Sequence, residues 1–508
     1  MLTLPILAPT QLLWPHQARY RQASQALAQD LFDNLDDDLK PLVLLLALPV
    51  DTTQLARVLE PVNTDIPAER FDQVLERGRE MQLTSNWPAL LERDDMSQTL
   101  LLQRFEGLGV RKATQEVFDE LDADGKYLHF AGWPVLINQH FIMTVLRLQR
   151  KPFRTYPSLK AGRYSTEGKP LANSLLTAAL YRFNEEGMKA LSEPEPGAGF
   201  LSRPRETDEV LRAAGKSFLD TPAHALGFNP ATAKLFATCN TISSLRYEGA
   251  EGVGKLILAR RHHPNLEEVF ALTCPTELTD YRAVRKLLEM TTPDVHLLAD
   301  GESVYGLGRV VGTYDPSRED LFAINFVNHY AWELKHGGQV LMRCHYGLPS
   351  LPRTRLNRAR FRRDLRRTFG VIDEANTELL WDVVLEASRQ QSGTLLVITT
   401  EALAEADRLK LQCTLIEPVP LTPLITRLVT SIDGAVLLDP AGYCYSIGVI
   451  LDGKASGHGD GARGARYNSA VRYVESSAHP CLAVVVSEDG MVDVMTKESL
   501  EEERKANK

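Results

Sequence analysis

Apolar positions three and four residues apart in Ser24–Leu35 (SQALAQDLFDNL) and Ala68–Gln82 (AERFDQVLERGREMQ) mark one-sided helices separated by proline and aspartate breaks. The stretch to about residue 120 is therefore predicted to be mainly helical. The apolar run Pro41–Val50 (PLVLLLALPV) reaches about half of the ~20 residues a membrane-crossing helix needs, which leaves a buried strand or a core helix. Between Lys126 and Leu148 the pattern turns aromatic and β-branched and predicts a strand or two. Ser192–Arg205, with three prolines and two glycines, reads as an exposed loop where one subdomain gives way to the next.

Further along, Leu245–His262 and Val295–Tyr314 read as hairpins, the second turning at Asp300-Gly301, and Tyr281–Thr292 reads as a helix. Eight arginines fall between Arg353 and Arg367, with Phe361, Leu365 and Phe369 four apart, a pattern that predicts an amphipathic basic helix. Two readings of those arginines stay open: contact with nucleic-acid or nucleotide phosphates, or a solvated connecting helix paired with acidic patches. The last third alternates helix and strand. Helix 377–391 leads to strand 393–400, helix 421–431, strands 434–439 and 443–451, a glycine-rich loop, helix 469–477 and strand 481–495. Runs such as LLVI and LAVVV suit strands buried on both faces, so a sheet flanked by helices is the economical fold.

A chain of 508 residues is too long for one core and predicts about two to four domains. With 44% hydrophobic and 24% charged residues it reads as an ordinary globular protein. The net charge of −9 argues against a surface wholly given to nucleic acid but leaves room for a local basic patch. The first residues lack a basic stretch before their apolar part and include three prolines, which predicts no secretory signal, no membrane association and a cytoplasmic location. Six scattered cysteines without a CxxC pair signal neither a zinc cage nor a disulfide framework; most of them, and the five tryptophans, are expected in the core.

Two segments carry chemistry. Ser431-Ile432-Asp433-Gly434-Ala435 sets an acid at a helix-to-strand turn beside small residues that let a ligand approach the backbone. Gly457–Arg466 (GHGDGARGAR) is rich in glycine and basic residues ahead of a helix, the arrangement that aims backbone N–H groups at phosphate oxygens. In this order the two resemble the diadenylate cyclase family. Asp433-Gly434-Ala435 is similar to its Asp-Gly-Ala motif, and Gly464-Ala465-Arg466-Tyr467-Asn468-Ser469-Ala470 partly matches its Gly-Thr-Arg-His-Arg-Ala-Ala motif. Val486-Ser487-Glu488-Asp489 follows its Val-Ser-Glu-Glu, and Gly393–Ile398 looks like its opening strand.

The resemblance implies a domain that binds ATP and works when two such domains face each other, each 3′-hydroxyl attacking the other nucleotide's α-phosphate to give cyclic di-AMP. It implies catalytic roles for Asp433, Arg466 and Glu488, with Asp433 and Glu488 holding Mg²⁺ or Mn²⁺. The nucleotide would be bound by Gly434, Ala435, Gly464, Ala465, Arg466, Tyr467, Asn468 and Ser469. Two positions depart from the family pattern: Tyr467-Asn468 stand where it has His-Arg, and Ile432 where it usually has a metal-ligating histidine. His458, Arg463 and Arg472 are candidate replacements by nearness in sequence.

The segments before this domain look like the sensor regions that accompany divergent members. The expected layout is a mainly helical region 1–228, an α/β sensor domain 229–352, a basic connecting helix 353–372, an α/β cyclase-like domain 373–497 with a mixed sheet flanked by helices, and a charged tail 498–508. The expected function is a sensor-regulated, homo-oligomeric diadenylate cyclase. The alternative is a degenerate protein that binds ATP or a cyclic dinucleotide without chemistry. DNA binding through Arg353–Arg367 is a less favoured role.

Overall fold

The computed structural model describes residues 12–51, 54–61, 65–84, 98–123, 125–165, 170–199, 206–228, 234–248, 250, 252–352, 358–388, 393–453, 465–486 and 492–506. The chain divides into two compact units, Met1–Pro352 and Arg353–Lys508.

The first unit opens with helix α1 (Gln17–Asp36), strands β1 (Leu42–Pro49) and β2 (Arg57–Glu60), and helices α2 (Val74–Thr84) and α3 (Gln98–Asp122). Strands β3 (Tyr127–Ala131), β4 (Val135–Ile137) and β5 (His140–Gln149) follow, then helices α4 (Arg150–Thr155), α5 (Leu175–Leu191) and α6 (Thr207–Ala225). Most of these residues are helical, as the periodicity predicts, but the helices enclose an antiparallel sheet in the order β2-β1-β5-β3, with β4 also on β5. The run Pro41–Val50 is its central strand. Val43, Leu45 and Ala47 face the core shared with α1, α5 and α6, while Leu44, Leu46 and Leu48 face α2 and α3. Periodicity could not reveal this strand's type, because a strand buried on both faces loses its alternation.

The unit continues through α7 (Leu235–Ser244), β6 (Gly254–Ala259), β7 (Leu266–Glu277), α8 (Tyr281–Leu288), β8 (His296–Ala299) and β9 (Ser303–Val310). It ends with β10 (Leu321–Asn328), β11 (Ala331–His336), β12 (Gln339–His345) and β13 (Leu348–Ser350). Their sheet runs β13-β12-β11-β10-β6-β8-β9-β7. The β8–β9 hairpin turns where expected: the Asp300 carboxylate accepts from the Ser303 N–H at 3.0 Å, and Gly301 takes φ +86°. Among its described residues, Leu245–His262, expected to be a hairpin, instead supplies one strand, β6, which pairs with distant β8 and β10, preceded by a tight Tyr247–Ala250 bridge. Local turn chemistry suggested a partner that long-range pairing supplied from elsewhere.

The second unit holds α9 (Arg358–Phe369), α10 (Glu374–Ala387), β14 (Thr394–Thr399), α11 (Ala402–Arg408), β15 (Thr414–Pro420) and α12 (Pro423–Val429). Then come β16 (Ala435–Leu438), β17 (Tyr443–Val449), α13 (Ala465–Ser476), β18 (Cys481–Val486), β19 (Val492–Met495) and α14 (Lys497–Ala506). The sheet is mixed, in the order β15-β17-β16-β14-β18-β19, with β14 and β16 parallel and the other neighbours antiparallel.

Alternate residues of the central strands go to opposite layers. Leu395, Val397, Ala435, Leu437, Ala483 and Val485 pack under α11, α13 and α14. Leu396, Ile398, Val436, Leu438, Leu482 and Val484 pack under α9, α10 and α12. Both faces are thus covered, which is what the apolar runs imply. The segment expected to be one strand over 481–495 is two antiparallel strands, and the charged end forms α14, anchored by buried Leu500. Of the cysteines, Cys239, Cys344, Cys444 and Cys481 are buried, while Cys274 is exposed. Trp14 and Trp332 lie in the core; Trp87 lies outside the described residues.

Candidate functional site

Asp433 stands at the turn that carries the chain from α12 into β16. The helix closes with the hydroxyls of Thr430 and Ser431 donating to the carbonyls of Thr426 and Leu428, at 2.6 and 2.7 Å. Gly434 then turns with φ +106°, and a Cβ there would lie 2.6 Å from the Gly448 carbonyl carbon and 2.9 Å from its Cα. Only glycine lets β16 and β17 approach this closely with that backbone. The turn therefore has a structural reason for its glycine independent of any ligand. Ala435 begins β16 with its methyl in the core. Asp433 itself projects from the fold, its side chain 89% exposed.

The second motif meets the first. α13 starts at Ala465, and the Arg466 Nη2 donates to Asp433 Oδ1 at 2.8 Å across 33 residues of sequence. The Gly434 N–H donates to the same oxygen at 3.0 Å. Arg466, and after it the Gly434 N–H, hold the Asp433 carboxyl below the usual carboxylate range. Oδ2 has no protein partner among the described residues. Tyr467 packs partly against the hydrophobic core, and Asn468 and Ser469 are half-buried on the same helix turn. Ile432 is 45% exposed beside Asp433. Gly464, Glu488, His458 and Arg463 lie outside the described residues, while Arg472 is exposed on α13.

Four residues that sequence reasoning passed over fix α13. The Tyr473 hydroxyl, within a buried side chain, donates to Glu405 Oε2 at 2.7 Å. Glu405 also accepts from Arg408 at 2.7 Å, and Arg408 grips both oxygens of Asp452 at 2.6 and 2.9 Å. Arg408 holds the Glu405 and Asp452 carboxyls below their ordinary values, and burial followed by Glu405 raises the Tyr473 phenol. This chain ties α11, the strand end after β17 and α13 together, so the helix that presents Arg466 is held in its C-terminal half. The i,i+3 spacing of Glu405 and Arg408 was a weak sequence signal; Tyr473 and Asp452 gave none.

Among the described residues no group of three or more His, Cys, Asp or Glu side chains could hold a metal. No helix among them is long and apolar enough to cross a membrane. The basic helix α9 buries Phe361 and Leu365 in the second unit's core, and Arg358 and Arg362 pair with Glu374 and Glu378 of α10.

A mixed sheet covered on both faces thus brings the acid turn at Asp433 together with the start of α13 at Arg466. Residues 382–500 match the family described as DisA bacterial checkpoint controller nucleotide-binding. Residues 13–219 and 233–338 match the probable sensor domains DACNG and DACNH. The chain thus carries a nucleotide-binding domain of the diadenylate cyclase family at residues 382–500, with two probable sensor domains ahead of it. Among solved structures, it is similar to a hypothetical membrane spanning protein from Bacillus cereus, at 21% identity over 27% of this chain and 67% of that one, with a TM-score of 0.22. DacA from Staphylococcus aureus, solved as a double cysteine mutant, is 18% identical over 27% of this chain and 97% of that one, with a TM-score of 0.20. A search of curated proteins found no match.

Proposed function

We propose that the C-terminal domain joins two ATP molecules into cyclic di-AMP and pyrophosphate, under the control of the two N-terminal sensor domains and in a face-to-face assembly of two chains. The observation that carries this reading is the 2.8 Å Asp433–Arg466 pair, which brings the two family motifs into one site. In the reaction each 3′-hydroxyl gives up its proton to solvent, its oxygen forms a bond to the other nucleotide's α-phosphorus, the bond from that phosphorus to the α–β bridging oxygen breaks, and pyrophosphate leaves. Phosphoryl transfer of this kind asks for positioning and for cationic groups near the departing phosphates. Arg466, at the start of α13, supplies such a cation together with the helix's first N–H groups. Asp433 stays ionised and keeps Oδ2 available to a 3′-hydroxyl or to a divalent ion.

A lone exposed carboxylate oxygen suits Mg²⁺ or Mn²⁺ held chiefly by nucleotide phosphates and water, with Glu488 as the second carboxylate implied by the family pattern. Such an ion would offset charge on the phosphates and make the 3′-hydroxyl more acidic. Gly434, by its close packing on Gly448, keeps Asp433 at a fixed place at the entry to β16. Gly464, Ala465, Asn468 and Ser469 are the remaining nucleotide contacts in this reading.

The second reading is a sensor that binds ATP or a cyclic dinucleotide without turnover. It is favoured by Tyr467, which packs against the core where the family pattern has an imidazole, and by Ile432 in place of a metal-ligating histidine. Incubating the full chain with ATP and Mg²⁺ or Mn²⁺, with products read by mass spectrometry, separates the two. Cyclic di-AMP that disappears in Asp433→Ala supports the cyclase; bound nucleotide with no product under either metal supports the sensor.

A further inference from the structure

Four of the six arginines of α9 fall into two groups. Arg358 and Arg362 are committed to Glu374 and Glu378 of the neighbouring helix, the Arg362–Glu374 contact being 2.5 Å. Arg363 and Arg366 are not. Arg363 comes no nearer than 3.8 Å to Asp364, and Arg366 no nearer than 3.9 Å to Glu374, beyond hydrogen-bond reach. Among the described residues neither guanidinium donates a hydrogen bond to the protein. Their side chains are 60% and 71% exposed. Together with Arg362 and Arg367 they line an open groove of about 430 Å³.

Arg362 is paired with glutamates and Arg367 lies 3.8 Å from Glu498. Arg363 and Arg366, however, leave positive charge over the concavity that is not neutralised by a hydrogen-bonded carboxylate, and a multiply charged anion whose oxygens match the guanidinium fork relieves it most effectively. From Arg362 to Arg367 the helix rises only about 7.5 Å. That is short against a nucleic-acid duplex, which carries its charge as an extended line, and it suits a compact ligand. The groove is also separate from the nucleotide site: α9 covers the sheet face of Leu396, Leu482 and Val484, whereas α13, which carries Arg466, covers the opposite face. We propose that the groove lined by Arg362, Arg363, Arg366 and Arg367 is a second anion site that binds a compact polyphosphate, either free or as the phosphate end of a nucleotide.

The test uses the full chain carrying Asp433→Ala and Arg466→Gln, which disables the nucleotide site, titrated calorimetrically with inorganic tripolyphosphate at about 50 and 200 mM salt. The expected result is one binding event that weakens with salt and loses at least about tenfold in affinity when Arg363→Gln and Arg366→Gln are added. Both side chains are exposed, so those changes leave the fold intact, which circular dichroism verifies. Equal affinity for ATP and tripolyphosphate would identify free polyphosphate as a sufficient ligand, and tighter ATP binding would identify a nucleotide; either supports the site. The proposal is overturned by absent binding, by affinity unchanged in the added variants, or by arginine-dependent binding of a duplex DNA without binding of tripolyphosphate.

Discussion

Replacing Gly434 by alanine asks whether this glycine serves the strands or only a ligand. The added Cβ would meet three backbone atoms of Gly448 at 2.6, 2.9 and 3.0 Å, none of which can turn aside as a flexible side chain would. The backbone at φ +106° adds roughly 1–2 kcal/mol for an L side chain. Forced separation of packed strands adds about 1–3 kcal/mol. A combined cost of about 2–5 kcal/mol corresponds to a roughly 30- to 4000-fold larger opening constant for the β16–β17 pair. Hydrogen exchange read by mass spectrometry on peptides covering 435–449, with no nucleotide present, measures this directly. Faster exchange there, with the first unit unaffected, is the expected outcome. Unchanged exchange accompanied by lost nucleotide binding would refute the packing argument and leave ligand clearance as the glycine's sole purpose.

Two further outcomes follow from contacts between charged groups and their neighbours. Arg466 is the leading cause of the low Asp433 carboxyl pKa, so Arg466→Gln should raise it toward the ordinary carboxylate value in a ¹³C-detected NMR titration; an unmoved titration would mean the two residues do not pair in solution. In the first unit, buried His296 has Lys255 Nζ 3.3 Å from its Nε2, and burial followed by that positive charge pushes its pKa from 6.5 down to about 4. Between those values the unfolded chain binds more protons than the folded one, so this contribution to stability is present above about pH 6.5 and is lost as pH falls toward about 4, by at most about 3 kcal/mol. Urea denaturation of the first unit across that range should show the loss, and His296→Gln should flatten it.

Much of the second unit was legible because its signals are local. Strands 393–400, 434–439 and 443–451 and the helices between them carry their own periodicity, and the alternation of Leu395, Leu396, Val397 and Ile398 between two covered faces is what a continuous apolar run predicts. Edge strand β15 was missed, since its mostly exposed side chains leave no apolar stripe to read. In the first unit β1 had no decisive period, and β6 took partners from β8 and β10, choices that depend on residues far along the chain.

The site divides along the same line. Asp433, Gly434 and Arg466 could be named from the sequence, because a turn acid, its glycine and a helix-start arginine are local motifs. Their meeting at 2.8 Å, the buried placement of Ala435, the backbone contact that makes Gly434 irreplaceable and the Tyr473–Glu405–Arg408–Asp452 chain that steadies α13 came only with the tertiary structure. The reason is physical: a residue's type and its neighbours set what chemistry it can do and which element it favours, whereas which groups share a site, and which are committed to holding the fold, depends on long-range packing that no short window of sequence contains.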